Sequence, residues 1–320
     1  MFSARIDAVQ RSNTVDLSRL FILEFIMFAE MAAGYLLCRF HVLKSSERSV
    51  LSRLVINLLL PCSIISSFSM EMNAEVLKRF LEILLISIGV QVMQTLIASI
   101  AFRSVPHEKR ASLQYATVCS NAGFLGNAVA EGVYGAEGLL YTQIYLIPQR
   151  VVMWSAGVSY FADGGSKSGA LKSILKHPCI IALEIGLLIM FLQIPVPAAV
   201  SSVLSALGRS STPMVMVFLG MIMADAGFEG IVTKLNLKFA FLRLILIPSA
   251  VLAVCLLLHI DPMITGLSVI LAAMPAGSTT AVLAEQYHAD VEFAADCIVL
   301  TTLLSIALLP VWVYVLNLIL

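Results

Sequence analysis

An arginine, a glutamine and a proline stand together at Ile147-Pro148-Gln149-Arg150, inside an apolar run from Leu139 to Phe161. A charge buried in such a run is costly wherever lipid surrounds it, which makes it a functional hypothesis by default. The Arg150 guanidinium is a planar fork of donors suited to a carboxylate, it stays charged at any working pH, and Gln149 adds an amide beside it. The structural alternatives are pairing with an internal acid such as Glu184 or reach of the long side chain to an interface.

Two further stretches interrupt apolar runs with backbone-loosening residues. The first is Ser120-Asn-Ala-Gly-Phe-Leu-Gly-Asn127; the second is Met274-Pro-Ala-Gly-Ser-Thr-Thr280. Proline removes a backbone donor and clashes with the preceding turn, and glycine weakens a helix, so both segments are expected to unwind. Unwound backbone in hydrocarbon leaves N–H and C=O groups that each cost several kcal/mol, so a break survives only where protein or a water-filled cavity surrounds it. The half-helix N-termini so exposed carry partial positive charge and free donors, a seat for a carboxylate. Candidate anion-binding residues are therefore Asn121, Gly123, Gly126, Asn127, Gln149, Arg150, Pro275, Gly277, Ser278 and Thr279. The alternative is a pair of kinks satisfied by neighbouring helices. Mid-span Pro61 and Pro213 shape their helices, and Asn57 either lines the cavity or bonds between helices.

Other polar groups in apolar runs are candidates for carrying a coupling proton: Glu30, Gln91, Gln94 and Glu184, each with a structural hydrogen bond as its alternative. All five histidines fall in loops or at the ends of apolar runs, so a buried histidine relay is not expected. The six cysteines are dispersed, without CxxC or a nearby histidine at ligand spacing, and read as buried apolar groups rather than a metal site. HExxH, GxSxG, GxGD and phosphate-loop spacings are absent, so neither an intramembrane enzyme nor an ATPase is indicated, and no cofactor is expected beyond H+ or Na+ as a coupling ion.

The elements that must position these groups follow from composition. Of 320 residues, 59% are hydrophobic and 12% charged, with mean hydropathy +0.95, too little charge for a water-facing surface. Twenty basic residues balance twenty acidic ones, which leaves no footprint for nucleic acid. Ten stretches are long enough to span a bilayer: Leu20–Cys38, Val50–Phe68, Phe80–Phe102, Leu113–Tyr134, Leu139–Phe161, Cys179–Ile194, Val200–Ala224, Phe239–Leu258, Met263–Ala284 and Phe293–Leu318. The expected organisation is a tail over 1–19, five helices over 20–161, a Gly/Ser/Lys-rich linker over 162–177 and five helices over 178–320. An odd number of spans per half turns the second half over in the membrane, as in an inverted repeat, with the break in the fourth helix of each half. Counting Lys and Arg gives twelve in loops on one side and five on the other, which places both termini outside the cell membrane.

At Asn57 to Pro61, Asn121-Ala-Gly-Phe-Leu-Gly126, Tyr134-Gly135, Met274 to Tyr287 and Thr301 to Pro310, the chain resembles the auxin efflux carrier family, which holds the plant PIN carriers and bacterial relatives. The resemblance spans most of the chain. It implies an all-α membrane protein of ten helices in two inverted five-helix repeats, crossing broken fourth and ninth helices, a mobile transport domain beside a scaffold, and a homodimer. It also implies small organic anions as substrates, indole-3-acetate in plants and malonate or malate in bacteria. The chain departs from the family pattern at Asn127 and Ala128, where relatives usually close the break with proline, so its first break rests on Gly123 and Gly126. Relatives often carry an amide at the place of Arg150, and the arginine here points to a more acidic or dianionic substrate.

Together these readings describe a secondary transporter for a mono- or dicarboxylate, auxin-like acids included, working by alternating access of an elevator type. An anion channel or a membrane receptor using the same cavity is the alternative, and an intramembrane enzyme the more distant one.

Overall fold

A computed structural model describes residues 17–68, 74–123, 125–161, 178–226 and 230–320 of the chain. The expected linker over 162–177 and residues 1–16 of the expected tail lie outside the described residues.

Helices form in all ten apolar stretches. α1 is Leu17–Arg39; α2 is Arg48–Leu54, which runs through a π-helical turn at Val55–Leu59 into α3, Leu60–Ser67; α4 is Ala74–Ala101. α5 is His107–Val118, and α6, Leu125–Trp154, is kinked at Gly135, whose φ of 67° suits glycine. In the second half, α7 is Pro178–Leu192, α8 is Ala198–Arg209 and α9 is Ser211–Ala226. α10 is Lys234–Phe241, joined through a π-helical turn at Leu242–Leu246 to α11, Ile247–Leu257; α12 is Pro262–Ala272, α13 is Thr279–Gln286 and α14 is Val291–Ile319. Among the described residues the β-type pairing is one antiparallel bridge, Ser120 with Ala276.

Among the described residues, five helical runs are long and apolar enough to cross a membrane: Arg48–Ser66, Arg79–Ala101, Ala198–Ala224, Lys234–Leu257 and Val291–Ile319. Large apolar side chains such as Phe25, Leu85, Phe191 and Leu257 point outward and are more than 65% exposed, a surface that suits lipid and not water. The chain is a multi-pass membrane protein.

Each π turn precedes a proline, and each makes the i to i−5 bond that a π turn requires: Leu60 N–H to the Val55 carbonyl, Ile247 N–H to the Leu242 carbonyl. Pro248 cannot donate to Leu244, and the indole N–H of Trp312 fills that role at 2.8 Å. Asn57, on the first π turn, is exposed and donates to the Arg53 carbonyl of its own helix at 2.8 Å, a bond within the helix and not between helices.

The helices fall into two packing groups. α1, α2–α3, α7, α8 and α9 pack chiefly on one another, as do α4–α6 and α10–α14. The tightest join of the first group is α1 on α9, where a Cβ on Gly34 would lie 2.1 Å from the Val217 carbonyl oxygen and one on Gly220 would lie 1.9 Å from that of Met31. Only glycine admits this approach, and close backbone packing is how apolar helices gain contact in lipid.

Candidate functional site

The site begins where α5 and α12 stop. Beyond Val118 the chain extends through Cys119 and Ser120, turns once at Asn121–Gly123 and enters α6; beyond Ala272 it passes Met274, Pro275, Ala276 and Gly277 before α13. The two breaks meet and pair. Asn121 N–H donates to the Pro275 carbonyl at 2.9 Å, and Gly277 N–H donates to the Cys119 carbonyl at 3.0 Å. A Cβ on Gly277 would stand 2.9 Å from that same Cys119 oxygen, so the approach requires glycine.

Helix ends leave carbonyls without helical donors, and buried ones must find others. At and just beyond the end of α5 four of them in succession have donors. Thr117 O accepts from Arg243 Nη1 at 3.1 Å, Val118 O from Gln91 Nε2 at 3.1 Å, Cys119 O from Gly277, and Ser120 O from Gln149 Nε2 at 3.0 Å. Across the bridge, Met274 O accepts from Arg243 Nε at 3.1 Å, Pro275 O from Asn121, and Ala276 N–H donates to Thr301 Oγ1 at 3.1 Å. These fixed partners hold the breaks in one geometry and explain why they are tolerated.

The amide ends of the same breaks border a cavity of about 810 Å³, within the usual range for ligand pockets. One wall belongs to the second packing group: Ser120, Asn121, Gly123, Asn127, Gln143, Gln149, Arg150, Gly277, Ser278 and Thr279 all line it. The opposite wall belongs to the first group and includes Glu30, Ser63, Ser66, Arg209, Ser211 and Thr212. Arg150 Nη2 donates to Gln143 Oε1 at 3.0 Å, Gln143 Nε2 donates to Asn127 Oδ1 at 3.0 Å, and Asn127 Nδ2 donates to the Gly123 carbonyl. A hydrogen-bonded line thus runs from the guanidinium to the first break. The guanidinium carbon lies 5.5 Å from the centre of the Phe68 ring, a cation–π contact. Its Nη1 is buried and has no hydrogen-bond partner among the described residues.

Eight of the ten sequence candidates therefore share one cavity: Asn121, Gly123, Asn127, Gln149, Arg150, Gly277, Ser278 and Thr279. Gly126 and Pro275 do not line it. A Cβ on Gly126 would meet Leu271 Cδ2 at 2.8 Å, so it is a packing glycine, and Pro275 is buried behind its bond to Asn121. Gly277 lines the cavity, but its amide is already given to Cys119; the next turn, Ser278 and Thr279, presents the helix N-terminus. Thr279 Oγ1 is tied to Tyr115 Oη at 3.2 Å.

Among the coupling candidates, Glu30 faces the cavity, with Oε2 buried and lacking a hydrogen-bond partner among the described residues. Gln91 holds the Val118 carbonyl and Gln94 is buried on the same helix, both away from the cavity lining. Glu184 is exposed on α7, and among the described residues no ion pair joins it to Arg150.

Arg209 and Arg243 are not among the sequence candidates. The count of loop cations contained the signal: twelve and five of the twenty Lys and Arg leave Arg150, Arg209 and Arg243, all at this junction or its cavity. Arg243 stands five residues into an apolar run, and Arg209 closes α8 just before Pro213.

The family profile described as "Membrane transport protein" matches residues 21–172 and 167–313. A protein of Methanothermobacter thermautotrophicus described as an uncharacterized transporter is 28% identical over 289 residues, covering 88% of this chain and 94% of its own. The transporter YfdV of Escherichia coli K12 is 23% identical over 302 residues, covering 90% and 95%. A Rhizobium meliloti protein named as a candidate malonate transporter is 24% identical over 212 residues, covering 63% and 66%.

Proposed function

The chain belongs to the auxin efflux carrier family of membrane transport proteins, and from that premise we propose that it carries a small organic anion, preferably a dicarboxylate, across the cell membrane by alternating access. The observation that bears the reading is the buried Nη1 of Arg150, without a hydrogen-bond partner among the described residues, in a cavity bordered by two half-helix N-termini. Each N-terminus supplies about half a positive charge. With Arg150 they make a positive pole of about two charges, to which Arg209 adds one from the rim and from which ionised Glu30 subtracts one. A dianion matches that balance better than a monoanion, and likeness to a protein named for malonate points the same way.

The cavity lies between the two packing groups, and this favours an elevator-type cycle. The group bearing the breaks is tied within itself by the bonds at both break ends, so it moves as one body. Toward the other group it is linked by polar contacts between α2 and α13: Arg48 Nε to Glu285 Oε2 at 3.2 Å and Ser52 Oγ to the Val282 carbonyl at 3.5 Å. These contacts part when the moving group slides. On this reading the ten helices form two inverted repeats whose broken fourth and ninth helices cross at mid-membrane, with both termini outside, and two chains associate through their scaffold groups. Protonation of Glu30 is the coupling event best placed to change the charge of the cavity.

The test is a thermal-shift screen of mono- and dicarboxylates on the purified protein, followed by counterflow in proteoliposomes. A dicarboxylate such as malonate is expected to raise the melting temperature and to exchange saturably, and Arg150→Ala and Asn121→Ala to abolish both effects. Stabilisation that survives both substitutions would move the site elsewhere, and non-saturating current would mark a channel.

A further inference from the structure

Arg243 lies on the π turn between α10 and α11 and is 0% exposed. A buried guanidinium normally sits against a carboxylate, because desolvating a lone charge is expensive. None of the described carboxylates forms an ion pair with Arg243. The hydrogen-bond partners of its Nε and Nη1 are main-chain oxygens, and they come from both breaks, Met274 just past the end of α12 and Thr117 in the last turn of α5, while its Nη2 has none among the described residues.

Those oxygens are where two half-helices direct their negative ends. Each end carries about half a negative charge, so the pair together balances one monovalent cation. Unwound carbonyls converging on one point are also the kind of oxygen set that a small metal cation takes. Here the space beside them is taken by a side chain of the same charge. The π turn has a direct part in this, since the extra residue it inserts offsets the guanidinium from the regular face of the helix.

We propose that Arg243 is a built-in counter-cation for the junction: it occupies the carbonyl seat at the two half-helix ends, holds the amide ends at the geometry the anion requires, and makes that geometry independent of sodium. Arg243 touches no ligand and is absent from the cavity lining; it is a positioning residue. The proposal deepens the carrier reading and rests on it for its anion-binding arm, while its cation arm stands on the two hydrogen bonds alone. It assigns sodium no role at this seat and leaves the proton, through Glu30, as the coupling ion to examine.

The test uses the full chain in detergent and malonate as the probe. For the parent, melting temperature and malonate binding are expected to be unchanged when sodium chloride is replaced by choline chloride. Arg243→Ala should weaken malonate binding by about tenfold or more, since two buried carbonyls lose an ionic hydrogen bond. Guanidinium at tens of millimolar should restore it and urea, of similar shape but neutral, should not. Arg243→Lys, which keeps the charge, should retain part of the affinity and melt above the alanine variant. The proposal is overturned if the parent needs sodium for stability or binding, if Arg243→Ala binds malonate like the parent, or if urea rescues as well as guanidinium. Should Arg243→Ala not fold, the sodium comparison on the parent and the lysine variant decide the matter. If no anion binds even the parent, the carrier reading fails, and guanidinium-specific recovery of the melting temperature of Arg243→Ala still tests the counter-cation.

Discussion

The two faces of the junction are made from the same pair of chain segments and are opposite in character. On one face the carbonyl ends of α5 and α12 converge on Arg243, and every oxygen named above at the end of α5 has a donor inside the protein. On the other, the amide ends at α6 and α13 border a cavity where Arg150 retains an unpartnered Nη1 and Glu30 an unpartnered Oε2 among the described residues. A closed face and an open face share one arginine each. The difference is where each guanidinium lies: Arg243 gives Nε and Nη1 to main-chain oxygens of the two breaks, with Nη2 lacking a hydrogen-bond partner among the described residues, and stays off the cavity lining, whereas Arg150 gives Nη2 to Gln143 and holds its spare Nη1 at the cavity. A buried charge thus serves as part of the frame or as part of a binding site according to whether packing turns it toward main-chain oxygens or toward a cavity.

The contrast can be broken most sharply at Arg150. Arg150→Gln keeps an amide donor and removes the charge, and it should weaken dicarboxylate binding by about a hundredfold, because hydrogen bonds to charged groups are worth roughly 1.5–3 kcal/mol. Monocarboxylates should lose less, so the selectivity read from the thermal-shift panel should shift toward them. Gly277→Val comes next, since its side chain would press on the Cys119 oxygen that belongs to both faces. A loss of about 1–3 kcal/mol in stability is expected from such overpacking, with melting temperature and anion affinity falling together.

Gln91→Leu touches the closed face alone. It leaves the Val118 carbonyl buried without its donor, at a cost of about 1–3 kcal/mol, and the ratio of di- to monocarboxylate affinity should stay at the parent value; a changed ratio would mean the two faces are not separable. Glu30→Gln has the smallest effect. Ionised Glu30 opposes an anion in the cavity, so the parent should bind malonate more tightly as pH falls and Glu30 takes up a proton. The glutamine variant should bind severalfold tighter near neutral pH and lose most of that pH dependence.

The breaks could be read from residue types because proline and glycine act locally: Pro275 cannot donate to a preceding turn, Gly123 weakens the helix, and Gly277 brings no Cβ to a crowded junction. Arg150 was legible for a similar reason, as an isolated charge in an apolar run advertises its own cost. Arg243 carried the same signal and a different meaning. Nothing along the chain distinguishes an arginine that faces a cavity from one that faces carbonyls, since the distinction lies in partners 126 and 31 residues away. Of the two readings open for Gln91, the structure shows the hydrogen bond: its amide donates to the Val118 carbonyl, 27 residues away.

From its sequence alone, this protein had to be a multi-pass helical membrane protein with two interrupted helices, because hydrophobic length, loop charge and backbone-breaking residues act within a few turns of where they stand. Tertiary structure decided which end of each broken helix faces a cavity, which intramembrane arginine meets main-chain oxygens and which a cavity, and that the two breaks pair by main-chain bonds. Those outcomes depend on donors and acceptors brought together from distant segments, and a buried polar group takes its role from whatever packing places within about 3 Å of it.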